Sequence, residues 1–295
     1  MHSQYKPNIQ YRIKNAQPGH SQASFAGAVS KRKKKKRSFL LKAAFFISLA
    51  LFASSIFLFS NELLQYLSSA AELTQIRQFT IDSTSLPYSQ AESISKRQLP
   101  DFSALCSINS EAVGWIYIDG ANVDHPIVQA SDNEYYLSHT FLKNENASGC
   151  LFIDFRNSPG FSDQNTVVYG HRMSNGTMFS RLLDFRSQEK YMQCPFVSVY
   201  TAGGKAYHYQ IFACLALEED YDYRSPSYGE SFASLISELR ESSDISSSAK
   251  VDESDRIITL STCSPDSVLK GGRYAVFAVL LNKGGNDIDL SKIQP

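Results

Sequence analysis

Several kinds of chemistry have no foothold in this chain of 295 residues. It contains no C-x-x-C pair and no Cys/His cluster at zinc-ligand spacing, which excludes the familiar zinc modules. No nucleotide-binding motif appears, and no internal repeat, so solenoid and propeller architectures are excluded as well. An excess of one charge is also missing. The 29 Lys and Arg residues balance the 29 Asp and Glu, for a formal net charge of zero. Hydrophobic residues, at 43%, are by contrast plentiful enough to build a core.

The neutral total conceals an asymmetry. Seven consecutive basic residues, KRKKKKR, fill Lys31 to Arg37, whereas the chain beyond residue 60 is acidic on balance. Taken alone, such a run suits nucleic acid or a localisation signal. The residues that follow argue otherwise. From Phe39 to Phe59 the sequence reads FLLKAAFFISLALFASSIFLF, in which Lys42 is the one charge. About 20 apolar residues suffice to cross a hydrocarbon core as a helix, and Lys42 lies near enough to the basic end to snorkel toward the head groups. Positive charge stays on the cytoplasmic side. The N-terminus is therefore expected inside and everything beyond Phe59 outside, with a membrane partner and no nucleic-acid partner. A cleaved signal peptide is the alternative; the length of the run and the lack of an A-x-A-type site favour an uncleaved anchor. The expected organisation is a cytoplasmic basic tail (1–37), a transmembrane anchor (38–60), an extracellular helical and linker segment (61–100) and a catalytic barrel (101–295).

Within the exported part the polar, Ser/Gln-rich stretch DSTSLPYSQAES reads as a linker or helix break. FSALCSIN then reads as a short helix. Eight short β-branched or aromatic runs follow: GWIYIDG, VDHPIVQ, GCLFIDF, NTVVYGH, FVSVYT, AYHYQIFACLAL, RIITLSTC and RYAVFAVLL. Gly, Pro, Asn and Asp punctuate them. Eight such runs predict a mostly β fold, a closed antiparallel barrel, rather than alternating βα units. In ESFASLISELRE, Phe232, Leu235, Ile236 and Leu239 fall at i, i+3, i+4 and i+7, the stripe of a helix laid on the barrel. TMFSRLLDF offers a shorter amphipathic turn through Met178, Leu182 and Phe185.

Cysteine is scarce and odd in number. All five cysteines (Cys106, Cys150, Cys194, Cys214, Cys263) lie beyond the apolar span, so at least one thiol is unpaired in an exported domain. Cys263 closes the run RIITLSTC and is followed by Ser264-Pro265, which suits either a buried core residue or a nucleophile displayed at a strand end. A cysteine nucleophile reacts as thiolate and needs a base or cation close by. Of the six histidines, His2 and His20 precede the apolar span, on its cytoplasmic side. His208 falls within a strand run, His125 is expected in an extended loop before Pro126, and His139 carries no local signature. His171 differs, because NTVVYGHRM ends a β-branched run in Gly-His. Arg273 opens the run ten residues after Cys263, so an antiparallel return brings it beside the cysteine, where a guanidinium can hold a carbonyl or an oxyanion. Cysteine, histidine and arginine at neighbouring strand ends make an acyl-transfer site.

Three motifs in order, VVYGH ending at His171, TLSTC ending at Cys263 and GGRYAVFAVL containing Arg273, resemble the sortases, membrane-anchored cysteine transpeptidases of Gram-positive bacteria. The form TLSTC is similar to class B. VGWIYIDGANVDHPIVQ, DNEYYLSHTF, GCLFIDFRN and NTVVYGHRMSNGTMF support the likeness, which covers roughly residues 100–282. The helix ahead of the cysteine strand fits the extra helix of class B. The resemblance implies a sortase barrel with His171, Cys263 and Arg273 as catalytic triad, and no metal or cofactor. It implies cleavage of a C-terminal sorting motif on surface proteins through a thioester acyl-enzyme. The acyl group then passes to an amine of peptidoglycan or to a pilin lysine. Tyr169, Ser261 and Thr262 flank the triad and are candidates for substrate binding. One departure concerns the acidic residue that some class B members carry close behind the cysteine. Here Asp266 comes third, and no role is assigned to it. No lid motif or second membrane helix of the pilin-building class C type appears. Two other readings stay open: a cysteine hydrolase releasing the acyl group to water, and a membrane-tethered binding module with an inert thiol.

Overall fold

A computed structural model describes residues 25–81, 99–264, 272–285, 290 and 293. The linker at residues 82–93, most of the basic tail's polar beginning and Asp266 lie outside the described residues. The chain divides into two compact units, residues 1–61 and 62–295.

The first helix, α1, runs from Phe25 to Ile76 without interruption. It passes through the expected boundary at residue 60 because nothing there stops it: no glycine or proline occurs between Phe59 and Ile76. Within Ser38–Ile76 an 18-residue stretch has a mean hydropathy of 2.1, apolar and long enough to cross a membrane. In the second unit, the last turns of this helix are held to the loops of the barrel by polar contacts. Glu72 accepts hydrogen bonds from Thr140 Oγ1 at 2.9 Å and from the Leu142 amide at 2.8 Å. Asn146 Nδ2 donates to the Gln65 carbonyl at 2.9 Å, and Arg77 Nη2 to the Asp124 carbonyl at 2.7 Å.

A two-residue pairing of Thr80–Ile81 with Leu99–Pro100 and a short helix α2 (Phe102–Ile108), capped by the Asp101 carboxylate, lead into the barrel. All eight predicted runs form strands: β1 (Ala112–Ile118), β2 (Val123–Val128), β3 (Leu151–Ile153), β4 (Asn165–Tyr169), β5 (Phe196–Thr201), β6 (Ala206–Leu217), β7 (Ile257–Cys263) and β8 (Arg273–Leu280). They close in the order β8-β6-β5-β1-β2-β3-β4-β7, with β7 returning to β8. The pairing is antiparallel except at two seams, β2–β3 and β4–β7, which are parallel. Periodicity within a strand says nothing about the direction of its neighbour, so these seams were not readable from the runs. The β4–β7 seam has a direct consequence. Two parallel strands end at the same rim, which is how residues 92 positions apart come together.

Ile116, Ile127, Leu151, Val168, Leu260 and Val276 help fill the interior. Outside, α4 (Phe232–Glu241) turns Phe232, Leu235, Ile236 and Leu239 onto Phe212, Leu215 and Phe277, as its spacing predicts. Burying each such side chain contributes about 1.5–3 kcal/mol. A 3-10 helix over Ser180–Arg186 buries Leu182 and Phe185, and a helical turn α3 (Gln188–Gln193) follows it.

Candidate active site

Cys263 is the last residue of β7 and faces Arg273, the first residue of β8, in the antiparallel register. The ladder continues past both, with the Ser264 amide donating to the Gly272 carbonyl at 3.0 Å. That register decides the contact. Directly opposed residues have side chains on one face of the sheet, and Arg273 Nη1 donates to Cys263 Sγ at 3.3 Å. A permanent positive charge therefore stands at the sulfur.

On its other side β7 runs parallel to β4, with Tyr169 opposite Ser261. The seam closes with the Gly170 amide bonded to the Ser261 carbonyl at 3.1 Å. His171 and Cys263 each lie two residues beyond that pair, on strands spaced about 4.8 Å apart. The half-buried His171 thus follows the rim beside the exposed thiol. Gly170 is required for this path. A Cβ there would fall 2.3 Å from Leu151 Cδ2 and 2.7 Å from the Phe179 ring, displacing the strand end that carries the histidine.

The imidazole is anchored from behind, as Nε2 lies 2.7 Å from the Leu137 carbonyl oxygen. A carbonyl only accepts, so Nε2 carries the proton in this contact and Nδ1 is left for other work. Leu137 ends a 3-10 turn, Tyr135–Leu137. Gly149, at φ +59°, permits its approach: a Cβ there would lie 2.4 Å from the Tyr136 carbonyl and 3.2 Å from His171 Cδ2.

The three flanking residues differ. Tyr169 is half-buried and donates to Asp154 Oδ2 at 2.9 Å. Burial, followed by the Asp154 charge, pushes its phenol above the ordinary tyrosine range. Ser261 is buried and its hydroxyl lies 2.8 Å from the Tyr223 hydroxyl. Thr262 is fully buried, and its hydroxyl has no partner among the described residues. Tyr223, which the sequence did not single out, meets the cysteine strand through Ser261. Burial raises its pKa, while the fields of Arg273 and Cys263 reach it with opposite signs. Leu137 was missed for a clear reason: it acts through its backbone carbonyl, which no residue pattern reveals.

The remaining histidines and cysteines have other surroundings. His125 is extended, as expected before proline, but it lies inside β2 opposite Ile116 rather than in a loop. His208 is buried with Nδ1 2.9 Å from Ser198 Oγ, and His139 stacks on Tyr135 at 4.1 Å between ring centroids. All five thiols are free, and Cys263 alone is exposed. Burial pushes the Cys150 and Cys214 thiols well above the usual range, which removes them as nucleophiles.

Comparison with known proteins identifies the family. A family model described as a sortase domain matches residues 116–281. The chain is 34% identical over 181 residues to a sortase B of Listeria monocytogenes, covering 61% of this chain and 73% of the relative. It is 32% identical over 166 residues to a sortase B of Staphylococcus aureus, covering 56% and 68%. The solved complex of Staphylococcus aureus sortase B with a substrate superposes with a TM-score of 0.64 at 26% identity, over 75% of this chain and all of that one. With the eight-stranded barrel, the extra helix before the cysteine strand and these matches together, the chain belongs to the sortase family of cysteine transpeptidases, within class B.

Proposed function

We propose that Cys263, His171 and Arg273 carry out the transpeptidation, on the sorting signals of exported proteins. With its proton passed to His171, Cys263 Sγ attacks as thiolate the carbonyl carbon of the scissile peptide bond at a C-terminal sorting motif. The developing oxyanion is held by the Arg273 guanidinium. The C–N bond breaks as His171 gives a proton to the leaving amine, and a thioester to Cys263 remains. An incoming amine then attacks the thioester, His171 takes its proton, and the Cys263 thiolate leaves. The observation that carries this reading is the Arg273 contact to the exposed sulfur across the β7–β8 register. The acceptor is an amine of peptidoglycan or a pilin lysine. Of the flanking residues, Tyr169 keeps a partly accessible ring for substrate, whereas Ser261 and Thr262 shape the wall through their buried side chains.

The location follows from the charge pattern. The basic run Lys31–Arg37 holds the N-terminus in the cytoplasm, the apolar span anchors the chain, and the barrel works outside. We divide the chain accordingly into tail (1–37), anchor (38–60), connecting segment (61–100) and catalytic region (101–295).

The test is to incubate the detergent-solubilised chain with a library of sorting-signal peptides and candidate amines. Intact-mass spectrometry is expected to show an acyl adduct on Cys263 that an added amine discharges as a new amide. Release to water at a rate indifferent to added amine, or no adduct with any peptide, contradicts the proposal.

A further inference from the structure

Asp154 is a fully buried carboxylate that the reaction does not use, yet five donors converge on it. Oδ1 accepts the Arg156 amide at 3.0 Å and Arg156 Nε at 2.8 Å. Oδ2 accepts Arg156 Nη2 at 2.9 Å, Tyr169 Oη at 2.9 Å and Asn133 Nδ2 at 3.1 Å. Burial alone would raise the pKa of this group, but the Arg156 and Tyr169 hydrogen bonds outweigh it, so the carboxylate titrates below the ordinary range.

Two of these partners lead to His171 by separate routes. Tyr169 is the last residue of β4, two positions before the histidine, so its hydroxyl pins the strand end that presents the ring. Asn133 leads to the carbonyl behind the ring. Its Oδ1 accepts the Phe155 amide at 3.0 Å while its Nδ2 donates to Asp154, so both ends of the amide are clamped to residues 154–155. The turn beyond is stiff: Asp132 Oδ1 accepts the Glu134 and Tyr135 amides, and the Leu137 amide donates to the Glu134 carbonyl. Fixing Asn133 therefore fixes the Leu137 oxygen that accepts from His171 Nε2. A third route reaches the cysteine strand. Arg156 Nη2 donates to the Arg224 carbonyl at 2.9 Å, next to Tyr223, whose hydroxyl meets Ser261.

We propose that Asp154 is a positioning residue that locks His171 as the Nε2–H tautomer, by tying the strand that carries the ring and the carbonyl that receives its proton to one buried charge. Nδ1 then faces the reacting groups, giving a proton to the leaving amine from the imidazolium and accepting one from the incoming amine afterwards. This rests on the reading of His171 as the general acid and base. An ionised carboxylate suits the task, because all five donors need an acceptor-only centre. Asparagine would present an NH2 to one set of them, leaving a buried clash of donors.

The test uses the full chain in detergent micelles, labelled with 15N at histidine, with His171 assigned by its loss in His171→Asn. Neutral His171 is expected to show a pyrrole-type Nε2 and a pyridine-type Nδ1. In Asp154→Asn that signature should collapse to a tautomer mixture. Transfer to an amine should fall in kcat by roughly 100-fold with KM within about threefold, since a misplaced acid-base group costs the chemical step more than binding. Tyr169→Phe and Asn133→Ala each cut one route, and each should move the signature and the pH profile part of the way. These two milder variants decide the matter if Asp154→Asn does not fold. An Nδ1–H signature in the parent chain overturns the proposal, as does an unchanged signature in all the variants that fold. A correct signature in a chain that transfers no peptide to amine contradicts the transpeptidase reading of the site and leaves the positioning role standing.

Discussion

Two thiols flank strand β8, and they behave as opposites. Cys263, on β7, faces Arg273 at the rim and is exposed; Cys214, on β6, faces Val276 at mid-strand and is buried. Burial pushes the Cys214 thiol far up, and the Asp244 carboxylate adds to the shift. The residue type is the same and the strands share a neighbour. Position along the strand separates the proposed nucleophile from a core residue, since only at the end does a charged partner stay solvated beside the sulfur.

That contrast can be broken experimentally, beginning where the effect is largest. Cys263→Ala is expected to reduce transpeptidation by about 10³-fold or more while leaving the fold intact, measured by product formation and circular dichroism. Retained turnover would move the nucleophile elsewhere. Limiting alkylation followed by peptide mapping should then modify Cys263 at least about 100-fold faster than Cys214 or Cys150. Comparable rates would erase the distinction between rim and interior. Arg273→Lys keeps the charge but loses the planar fork, and kcat should fall by about 10–100-fold, with the loss read in kcat/KM as well.

Smaller effects belong to the packed regions. Leu239→Ala on α4 should cost about 2–5 kcal/mol of stability by denaturant titration, with kcat unchanged. His125 supplies a pH signature. Burial, reinforced by the Arg77 charge and opposed by Asp124, lowers its pKa from 6.5 to about 4. The unfolded chain then binds this proton more readily, so the contribution is fully present above pH 6.5 and is lost as pH falls toward about 4. The loss amounts to about 3 kcal/mol, and His125→Gln should flatten that part of the stability profile. An unchanged slope would mean the ring is protonated in the native state.

Much of the architecture was legible because it is local. Each of the eight strands announces itself by β-branched residues between turn formers, and α4 by one apolar stripe. Closure was suggested by the number of strands, but the parallel β4–β7 seam was not, since strand direction depends on the path of residues 170–256 between the two. The strand-end positions of the proposed triad were legible, and Arg273 was reachable by counting an antiparallel return from Cys263. The supports were harder to see. Leu137 contributes an oxygen common to every residue, and Tyr223 reaches Ser261 from 38 residues away. Asp154 did leave a trace, a carboxylate next to last in the apolar run GCLFIDF with Arg156 two residues on. Glu72, by contrast, meets Thr140 and Leu142 across some 70 residues, and nothing in its helical surroundings sets it apart.

The convergence of the rim is tested most directly by a crosslink. In the variant His171→Cys, position 171 and Cys263 lie two residues past the last pair of one parallel ladder, and strands about 4.8 Å apart are expected to bring them into the Cα range of about 4.4–6.8 Å that a disulfide requires. Mild oxidation is expected to join position 171 to Cys263 in nearly every molecule, seen as a single linked peptide pair that reduction releases. Two freely alkylated thiols after oxidation, or a bond from position 171 to any other cysteine, would contradict the meeting of β4 and β7 at one catalytic rim.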